Sequence, residues 1–529
     1  MQAPPTDPAA RQRRLAEVER ENAILQQQLA VQQFVSKYEV QLEWPAEVVT
    51  KNGLRNRTNA DLIQHRLLEA GIVYDAPVTT GKVYEIANDF IRDLEASDCF
   101  HSVGVEIGRA PSDVPAPDAS SPPRRLLVHL NEKNWYRLHA GAGLKADMFG
   151  TNSTSSYQQL ATDAVMPPAE LEVSAALRNL AGCLDTTEIQ YKLDTFNIGA
   201  WKLSHKRPLY TILPGGLGAH LLDTSIGSQH TFHAQAALDT IDTDWISSYK
   251  LFQRYLSVEM ATPKSLPGWA SLEWFLGYRD MIPRRHPTMP FHLSASPEIS
   301  RLAGPSLKHS ITANLEYDAV QRDPVSQLPI DGLQMRWRTE CAIPPGDVGF
   351  FKSHAACAVH WLVPNTPVAF HATGSVGYLH ALHNMFPRVR PAATLPVDRF
   401  IAGGVGSLRG FAIGGVGPRS KGTAENRIGD ALGGNFTYSA TALVSTAPPF
   451  SITNDGTDPI RLFGFCTAGT CVGAGHLSTI MSSTRVAAGV GIASHILGPR
   501  LEVTYAWPLR YAPHDGRRRF QLGVTLSVT

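Results

Sequence analysis

The chain has 529 residues and a mass of 57.6 kDa, which is enough for one large domain and a smaller one. Its 48 basic and 47 acidic side chains leave a net charge of +1, which argues against a nucleic-acid partner and against an acidic solvating tail. Six cysteines occur without a CxxC pair or a ligand-spaced histidine motif, so the sequence predicts neither a zinc site nor a disulfide framework.

Residues 1–43 are predicted to be an N-terminal segment with a polar helix over residues 10–36. The seven-residue spacing of its apolar side chains fits a short coiled coil with a partner, while a solvated helix is the alternative. This spacing is carried by Leu15, Val18, Leu25 and Leu29. The acidic residues of this segment argue against a cleaved targeting peptide. The sequence contains no run of about 20 apolar residues, so we expect no helix that spans a membrane.

Residues 44–132 mix the periods of helices and strands, which predicts a small α+β module. The expected element order is β-α-α-β-β. Thr58 is expected to cap the first helix, and Thr79 or Thr80 the second. A proline- and serine-rich insert over residues 111–123 is expected to loop out between the last two strands.

From Tyr136 onward, segments of about ten residues alternate apolar with polar or small side chains between turn residues. In the clearest segment, one face carries Phe520, Leu522, Val524, Leu526 and Val528. About sixteen such segments, an even number, and aromatic residues near their ends predict a transmembrane antiparallel β-barrel over residues 133–529. A soluble β-sandwich, which also alternates, is the alternative.

Residues 400–421 are crowded with glycine and contain the sequence Leu408, Arg409, Gly410, Phe411. An arginine between apolar residues and glycines predicts a loop that carries a charge inward to a buried partner, because a buried charge needs pairing. A flexible surface loop is the alternative.

Four short motifs occur between residues 303 and 434: AGPSLKHS at 303–310, GDVGFFK at 346–352, GGVGSLRGF at 403–411 and GDALGG at 429–434. Together with the order of the domains, they resemble the Omp85 superfamily, and in detail its mitochondrial Sam50 (sorting and assembly machinery) branch. The likeness runs from about Trp44 to Thr529. It implies a POTRA-like domain at residues 44–132 that faces the intermembrane space, and a barrel in the mitochondrial outer membrane.

The resemblance also implies a lumen-loop motif formed by Gly403, Gly404, Leu408, Arg409, Gly410 and Phe411. The family motif F-x-D/N-x-G receives the arginine, and here it consists of Phe465, Thr467 and Gly469. Threonine offers only a neutral acceptor where the family places an acid or amide. Either Glu340 or Asp430 substitutes for the acid, the lumen is wet enough, or Arg409 is held less tightly.

The last predicted strand carries a polar-x-Gly-x-x-apolar-x-apolar pattern at Gln521, Gly523, Leu526 and Val528. This pattern resembles the β-signal of mitochondrial barrel precursors, and it also suits an ordinary closing strand. In the first predicted strand, Gly141 and Gly143 lower the stability of pairing. The two strands are therefore a candidate lateral seam.

The sequence contains no Walker A, HExxH or GxSxG motif, so we expect no enzyme, no catalytic residue, no cofactor and no metal site. The expected function is the insertion and assembly of β-barrel precursor proteins. The expected partners are those precursors, membrane lipids and accessory subunits of a sorting and assembly complex. A protein-translocating channel of the same superfamily is the alternative, and a metabolite porin is a more distant one.

Overall fold

A computed structural model describes residues 39–50, 57–74, 76–95, 97–109, 124–144, 169–194, 199–209, 230–262, 268–284, 295–323, 328–382, 394–421, 429–448, 460–473, 477–495 and 499–526. The predicted helix at residues 10–36, the insert at 111–123 and Val528 lie outside these ranges. The chain divides into two compact units, the first of which contains Met1–Arg137, Leu177–Thr186 and Arg207–Gln229.

The first unit contains a four-stranded sheet with the order β2-β1-β4-β3. Its strands are β1 (Glu39–Thr50), β2 (Pro77–Thr79), β3 (Phe100–Arg109) and β4 (Arg124–Glu132). Strand β1 pairs parallel with β4 and antiparallel with β2, while β3 pairs antiparallel with β4. The predicted α+β module is therefore present, with one additional strand of three residues, β2, between its helices.

Two helices cover this sheet, α1 (Ala60–Glu69) and α2 (Thr80–Glu95). The α1 N-cap is Asn59, whose side chain accepts a hydrogen bond from the Asp61 amide, so the predicted cap at Thr58 is one residue early. The apolar face of α2 is buried because its side chains recur at helical spacing. Together with the sheet, the helices bury Leu42, Ile63, Leu67, Phe90, Leu94, Leu126 and Leu130.

The second unit is built on a 16-stranded sheet in which strands follow one another in chain order from β5 to β20. The described pairings from β9 to β20 are all antiparallel. The strands are β5 (Tyr136–Leu144), β6 (Ala169–Arg178), β7 (Thr186–Asp194), β8 (Gly199–Pro208), β9 (Thr231–Asp242), β10 (Tyr249–Ala261), β11 (Gly268–Pro283), β12 (Gly304–Arg322), β13 (Pro329–Ala342), β14 (Phe350–Leu362), β15 (Ala369–Ala381), β16 (Phe436–Thr446), β17 (Ile460–Val472), β18 (Arg485–His495), β19 (Pro499–Arg510) and β20 (Phe520–Leu526).

The sheet exposes apolar side chains and buries polar ones. On β12, Ile311 and Leu315 are exposed, whereas Ser310 and Thr312, on either side of Ile311, are buried. A soluble sandwich would show the opposite pattern, since its two sheets bury their apolar faces against each other. Lipid-facing apolar residues that alternate with a polar interior are typical of a membrane barrel. The predicted barrel of about sixteen strands is confirmed.

Short helices lie in the connections of this unit: α3 (Asp244–Ser247), α4 (Pro297–Leu302), α5 (Leu477–Ser482) and a 3-10 turn at Pro396–Asp398. Among the described residues, no helix has both the length and the apolar character needed to cross a membrane.

Candidate functional site

The glycine-rich segment between β15 and β16 is buried inside the barrel unit rather than exposed. Its apolar side chains form one core cluster with residues of the strands, and the loop contributes Phe400, Ala402, Leu408, Phe411 and Val416. Gly403 has a φ of 120°, and a Cβ there would lie 1.9 Å from the Ala412 carbonyl oxygen, so only glycine fits. These loop side chains therefore pack against residues of the strands.

Arg409 of this loop forms an ion pair with Glu502 of β19. Its Nε lies 2.8 Å from Glu502 Oε1, and the two side chains are only 12% and 7% exposed. The guanidinium carbon also lies 5.3 Å from the ring centre of Phe465 and 6.0 Å from that of Phe463. A charge-assisted bond and two aromatic faces thus hold the cation in a largely dry position.

The acid that holds Arg409 is neither of the two that the sequence suggested. Glu340 Oε1 is 2.6 Å from Lys308 Nζ, and Asp430 accepts hydrogen bonds from Ser248 Oγ and the Ser296 amide. Thr467 is fully buried and accepts a hydrogen bond from Thr441 Oγ1 at 2.9 Å. The missing carboxylate is thus supplied from β19, two strands beyond the β17 position where the family motif places it.

The other members of the receiving motif have clear roles in packing. Phe465 presents its ring to Arg409, as described above. A Cβ on Gly469 would lie 2.6 Å from Leu408 Cδ1 and 2.5 Å from the Tyr438 carbonyl oxygen. Glycine at this position therefore gives the loop's leucine room to reach the wall of the barrel.

Gln521 of β20 holds the loop backbone directly. Its Oε1 accepts a hydrogen bond from the Gly410 amide at 2.7 Å, and its Nε2 donates one to the Phe411 carbonyl at 2.8 Å. The side chain is only 5% exposed. The sequence placed Gln521 at the seam and the loop motif elsewhere, but the structure brings the two predicted sites into contact.

The turn that precedes β20 extends this contact. The Ala412 amide donates to the Gly516 carbonyl at 2.7 Å, and the Arg518 amide donates to the Gly410 carbonyl at 2.9 Å. The Gly516 amide donates in turn to the Gly415 carbonyl. The loop is therefore bonded through its backbone to the hairpin formed by β19 and β20.

A second ion-pair cluster fixes the start of the same loop, and sequence reasoning missed it. Arg279 of β11 makes two bonds to the Asp398 carboxylate, at 2.8 and 3.2 Å, and both side chains are nearly inaccessible. Lys308 Nζ lies 3.5 Å from Asp398 Oδ1, and Lys352 Nζ donates to the Asp398 carbonyl at 2.8 Å. Inward-facing cations on three strands could have indicated a buried acid, but the sequence does not show which loop supplies it.

The two predicted seam strands are the two ends of the 16-stranded sheet. Strand β20 pairs with β19 over its whole length, with Glu502 opposite Gly523 and Pro499 opposite Leu526. No ladder between β20 and β5, which carries Gly141 and Gly143, is present among the residues that the structure describes. In the same part of the chain, no group of histidine, cysteine and carboxylate side chains is arranged to hold a metal ion.

Comparison with known proteins agrees with this architecture. The model of the Omp85 superfamily domain matches residues 224–527. A SAM50-like protein of Schizosaccharomyces pombe is 29% identical over 247 residues, which cover 44% of this chain and 47% of that protein. The match thus spans about half the length of that relative.

Among solved structures, BamA from Haemophilus ducreyi lacking POTRA domains 1–3 superimposes with a TM-score of 0.64. The superposition covers 91% of this chain and 84% of that chain at 14% identity, which shows a shared fold. The resemblance predicted from the motifs is thus confirmed, and the protein is an outer-membrane β-barrel protein with sequence similarity to the Sam50 branch. By the match of the family model to more than half of its length, the chain belongs to the Omp85 superfamily.

Proposed function

We propose that this protein inserts and assembles β-barrel precursors in the mitochondrial outer membrane, through a lateral seam between β5 and β20. The observation that carries the proposal is the bond pair between Gln521 of β20 and the backbone of Gly410 and Phe411. It holds the last strand to the lumen loop, while the other edge of that strand is an end of the sheet.

The mechanism of insertion rests on the unpaired backbone groups at the edge of a strand. An unpaired edge presents a row of N–H and C=O groups that can template an incoming strand. Unsatisfied backbone groups in hydrocarbon are expensive, so a precursor strand that adds to β20 or β5 is stabilised where it binds. The precursor leaves once its own first and last strands pair. Folding of the client supplies the free energy, and no nucleotide or other cofactor takes part.

The lumen loop fixes the β19–β20 hairpin, which is the side of the seam that stays in place while the seam opens. Arg409 binds Glu502 on β19, and Gln521 binds the loop from β20. The β19–β20 hairpin therefore keeps its register while the free edge of β20 exchanges partners. Glycines at 141 and 143 weaken β5 as a competing partner, which favours exchange with a precursor.

We assign residues 1–43 to an N-terminal segment, 44–132 to a POTRA-like domain and 133–529 to the barrel. The POTRA-like domain faces the intermembrane space and receives precursors or accessory subunits of a sorting and assembly complex. The long edge strand β3 of its sheet supports this role, since such an edge accepts an added strand.

Site-specific crosslinking of an arrested precursor tests this function. A photoreactive residue replaces Gly141 on β5, and a matched control replaces Arg336, a lumen-side residue of β13 that pairs with Glu316. We expect adducts at position 141 whose yield falls when the precursor is released. Adducts at position 336 alone would favour the alternative, a channel that translocates proteins through its lumen.

A further inference from the structure

Two charged residues lie on the outward, apolar face of the barrel. On β10, the exposed side chains are Phe252, Leu256 and Met260, which places Arg254 on the same face. On β11, Tyr278 and Ile282 are exposed, which places Asp280 between them. Charges on a lipid-facing surface are unfavourable in the middle of the membrane and are tolerated near its boundaries.

Arg254 and Asp280 are diagonal neighbours, because Arg254 is opposite Tyr278 and Asp280 is opposite Phe252 in the β10–β11 ladder. Diagonal side chains are about 7 Å apart at their base and within reach of each other. Nevertheless, within the described part of the chain neither side chain has a hydrogen bond or ion pair, with the other or with any third group. A cation and an anion therefore stand side by side and unpaired.

Both residues line a surface cavity of about 960 Å³, and a third charged residue, Asp239 of β9, also lines it. The apolar part of its wall consists of Leu238, Phe252, Tyr278 and Ile282. A cavity with apolar and aromatic walls and a few polar groups that converge is typical of a ligand site.

The depth of the cavity matches the boundary between acyl chains and headgroups. Tyr278 is opposite Leu307 of β12, and Gly268 is opposite Tyr317, so two outward tyrosines are separated by ten residues of strand. Ten residues at ~3.3 Å each, tilted by ~40°, span about 25 Å, the height of the apolar band between aromatic girdles. Arg254 is opposite Tyr278 and therefore lies level with the aromatic girdle to which Tyr278 belongs. Asp280 lies two residues beyond Tyr278 along β11.

We propose that this cavity binds the headgroup of a zwitterionic phospholipid. The guanidinium of Arg254 donates to the phosphate, whose geometry suits a planar cation. The carboxylate of Asp280 faces the ammonium group, and the acyl chains lie along the apolar face next to Leu256. An anionic phospholipid fits less well, because the lining carries one cation and two carboxylates, Asp280 and Asp239, which repel a net negative headgroup.

Native mass spectrometry of the full chain in mild detergent tests the site, with phosphatidylethanolamine, phosphatidylcholine and phosphatidylglycerol as probes. We expect the native protein to retain both zwitterionic lipids several-fold better than phosphatidylglycerol. Asp280→Asn should raise retention of phosphatidylglycerol several-fold and remove this discrimination. Arg254→Gln should lower retention of all three lipids.

Arg301→Gln is the matched control, because Arg301 is an exposed arginine of α4 that does not line the cavity. It should behave like the native protein. An unchanged heat-dependent gel mobility of each variant shows that its barrel is folded. Equal retention of the three lipids by the native protein, or an unchanged ratio in Asp280→Asn, would overturn the proposal.

Discussion

At the scale of single residues, the lumen loop is held by a small number of buried polar contacts, and the loss of any one partner is costly in stability. The pair between Arg409 and Glu502 is largely buried, with side chains 12% and 7% exposed. Breaking a buried pair by removing one partner is costly because the remaining charge loses its counter-ion. Removing both partners is much less costly, and this asymmetry makes the pair testable.

Arg409→Ala should destabilise the barrel by about 3–5 kcal/mol, because Glu502 loses the cation that the loop supplies. The measurement is the temperature at which the purified full chain loses its compact, heat-modifiable gel band. Precursor insertion in isolated membranes should fall in parallel.

The double variant Arg409→Ala with Glu502→Ala should lose clearly less stability than the sum of the two single variants. A matched control is Arg336→Ala, whose ion pair with Glu316 has side chains 36% and 27% exposed and should contribute little. Strictly additive losses at positions 409 and 502 would show that the two side chains do not stabilise each other.

The sequence predicted a buried partner for Arg409 but could not name that partner, which in the structure is Glu502. The family motif directed attention to β17, where Thr467 stands, whereas the acid lies on β19. Which strand a folded-in loop reaches depends on tertiary packing and not on local pattern. Gln521 shows the same limit, because its position in the last strand was predicted and its bonds to Gly410 and Phe411 were not.

At the scale of elements, the α+β unit recruits a segment that is distant in sequence. Leu184, in the turn between β6 and β7, is 2% exposed and belongs to the same core as Leu67 and Leu126. The turn also bonds to the chain before α1, since Asn179 Nδ2 donates to Thr58 Oγ1 and the Asn59 amide donates to the Gly182 carbonyl. A turn of a barrel hairpin carries no pattern that predicts such a role.

Leu184→Ala should destabilise the α+β unit by about 2–5 kcal/mol, because it leaves a cavity in a packed core. Leu180→Ala, in the same turn but 62% exposed, is the matched control and should be neutral within about 0.5 kcal/mol. Hydrogen exchange of α1 and α2 in the full chain reports the difference. Equal protection of the helices in both variants would contradict the assignment of Leu184 to this core.

Glu132, at the end of β4, makes the same unit sensitive to acid. Its carboxylate accepts hydrogen bonds from the Thr58 amide at 2.9 Å and from Arg57 Nε at 3.0 Å. Burial alone would raise the pKa of Glu132, but the bonds from Thr58 and the charge of Arg57 outweigh it and hold the pKa below its usual value. The folded state therefore binds the proton less readily than the unfolded state.

A lowered pKa in the folded state contributes stability that is present above the unfolded pKa and is lost as the pH falls through the folded pKa. We expect resistance of the α+β unit to proteolysis to be steady near neutral pH and to decrease below about pH 4, the range in which an ordinary glutamate titrates. Glu132→Gln should be less resistant at neutral pH and should lose less on acidification. Parallel pH profiles for the two proteins would show that Glu132 does not carry the effect.

At the scale of the whole molecule, the alternation of apolar and polar side chains along the strands predicted most of the fold. Sixteen strands with apolar residues outward and polar residues inward were predictable because a membrane barrel has one residue period and one polarity rule along its whole length. The three-residue strand β2 was not predictable, because so short a segment has no period. The buried cluster of Arg279 and Asp398 was also missed, since it joins residues more than a hundred positions apart.

The proposed seam predicts that only one strand boundary has to open for function. A cysteine at Gly141, combined in turn with single cysteines along β20, would lock β5 to β20 wherever a disulfide forms. A control pair at Val503 and Leu522, which are register partners on β19 and β20, would lock a boundary that stays closed in the proposal.

Oxidation of the seam pair should abolish precursor insertion, and reduction should restore it, because the precursor strand needs the edge that the disulfide occupies. The control pair should crosslink as completely and leave insertion unchanged. Single-cysteine variants correct for the six native cysteines. If the seam pair crosslinks fully while insertion continues at the native rate, precursors do not enter between β5 and β20. Crosslinks to the lumen-side position 336 would then identify the route through the barrel.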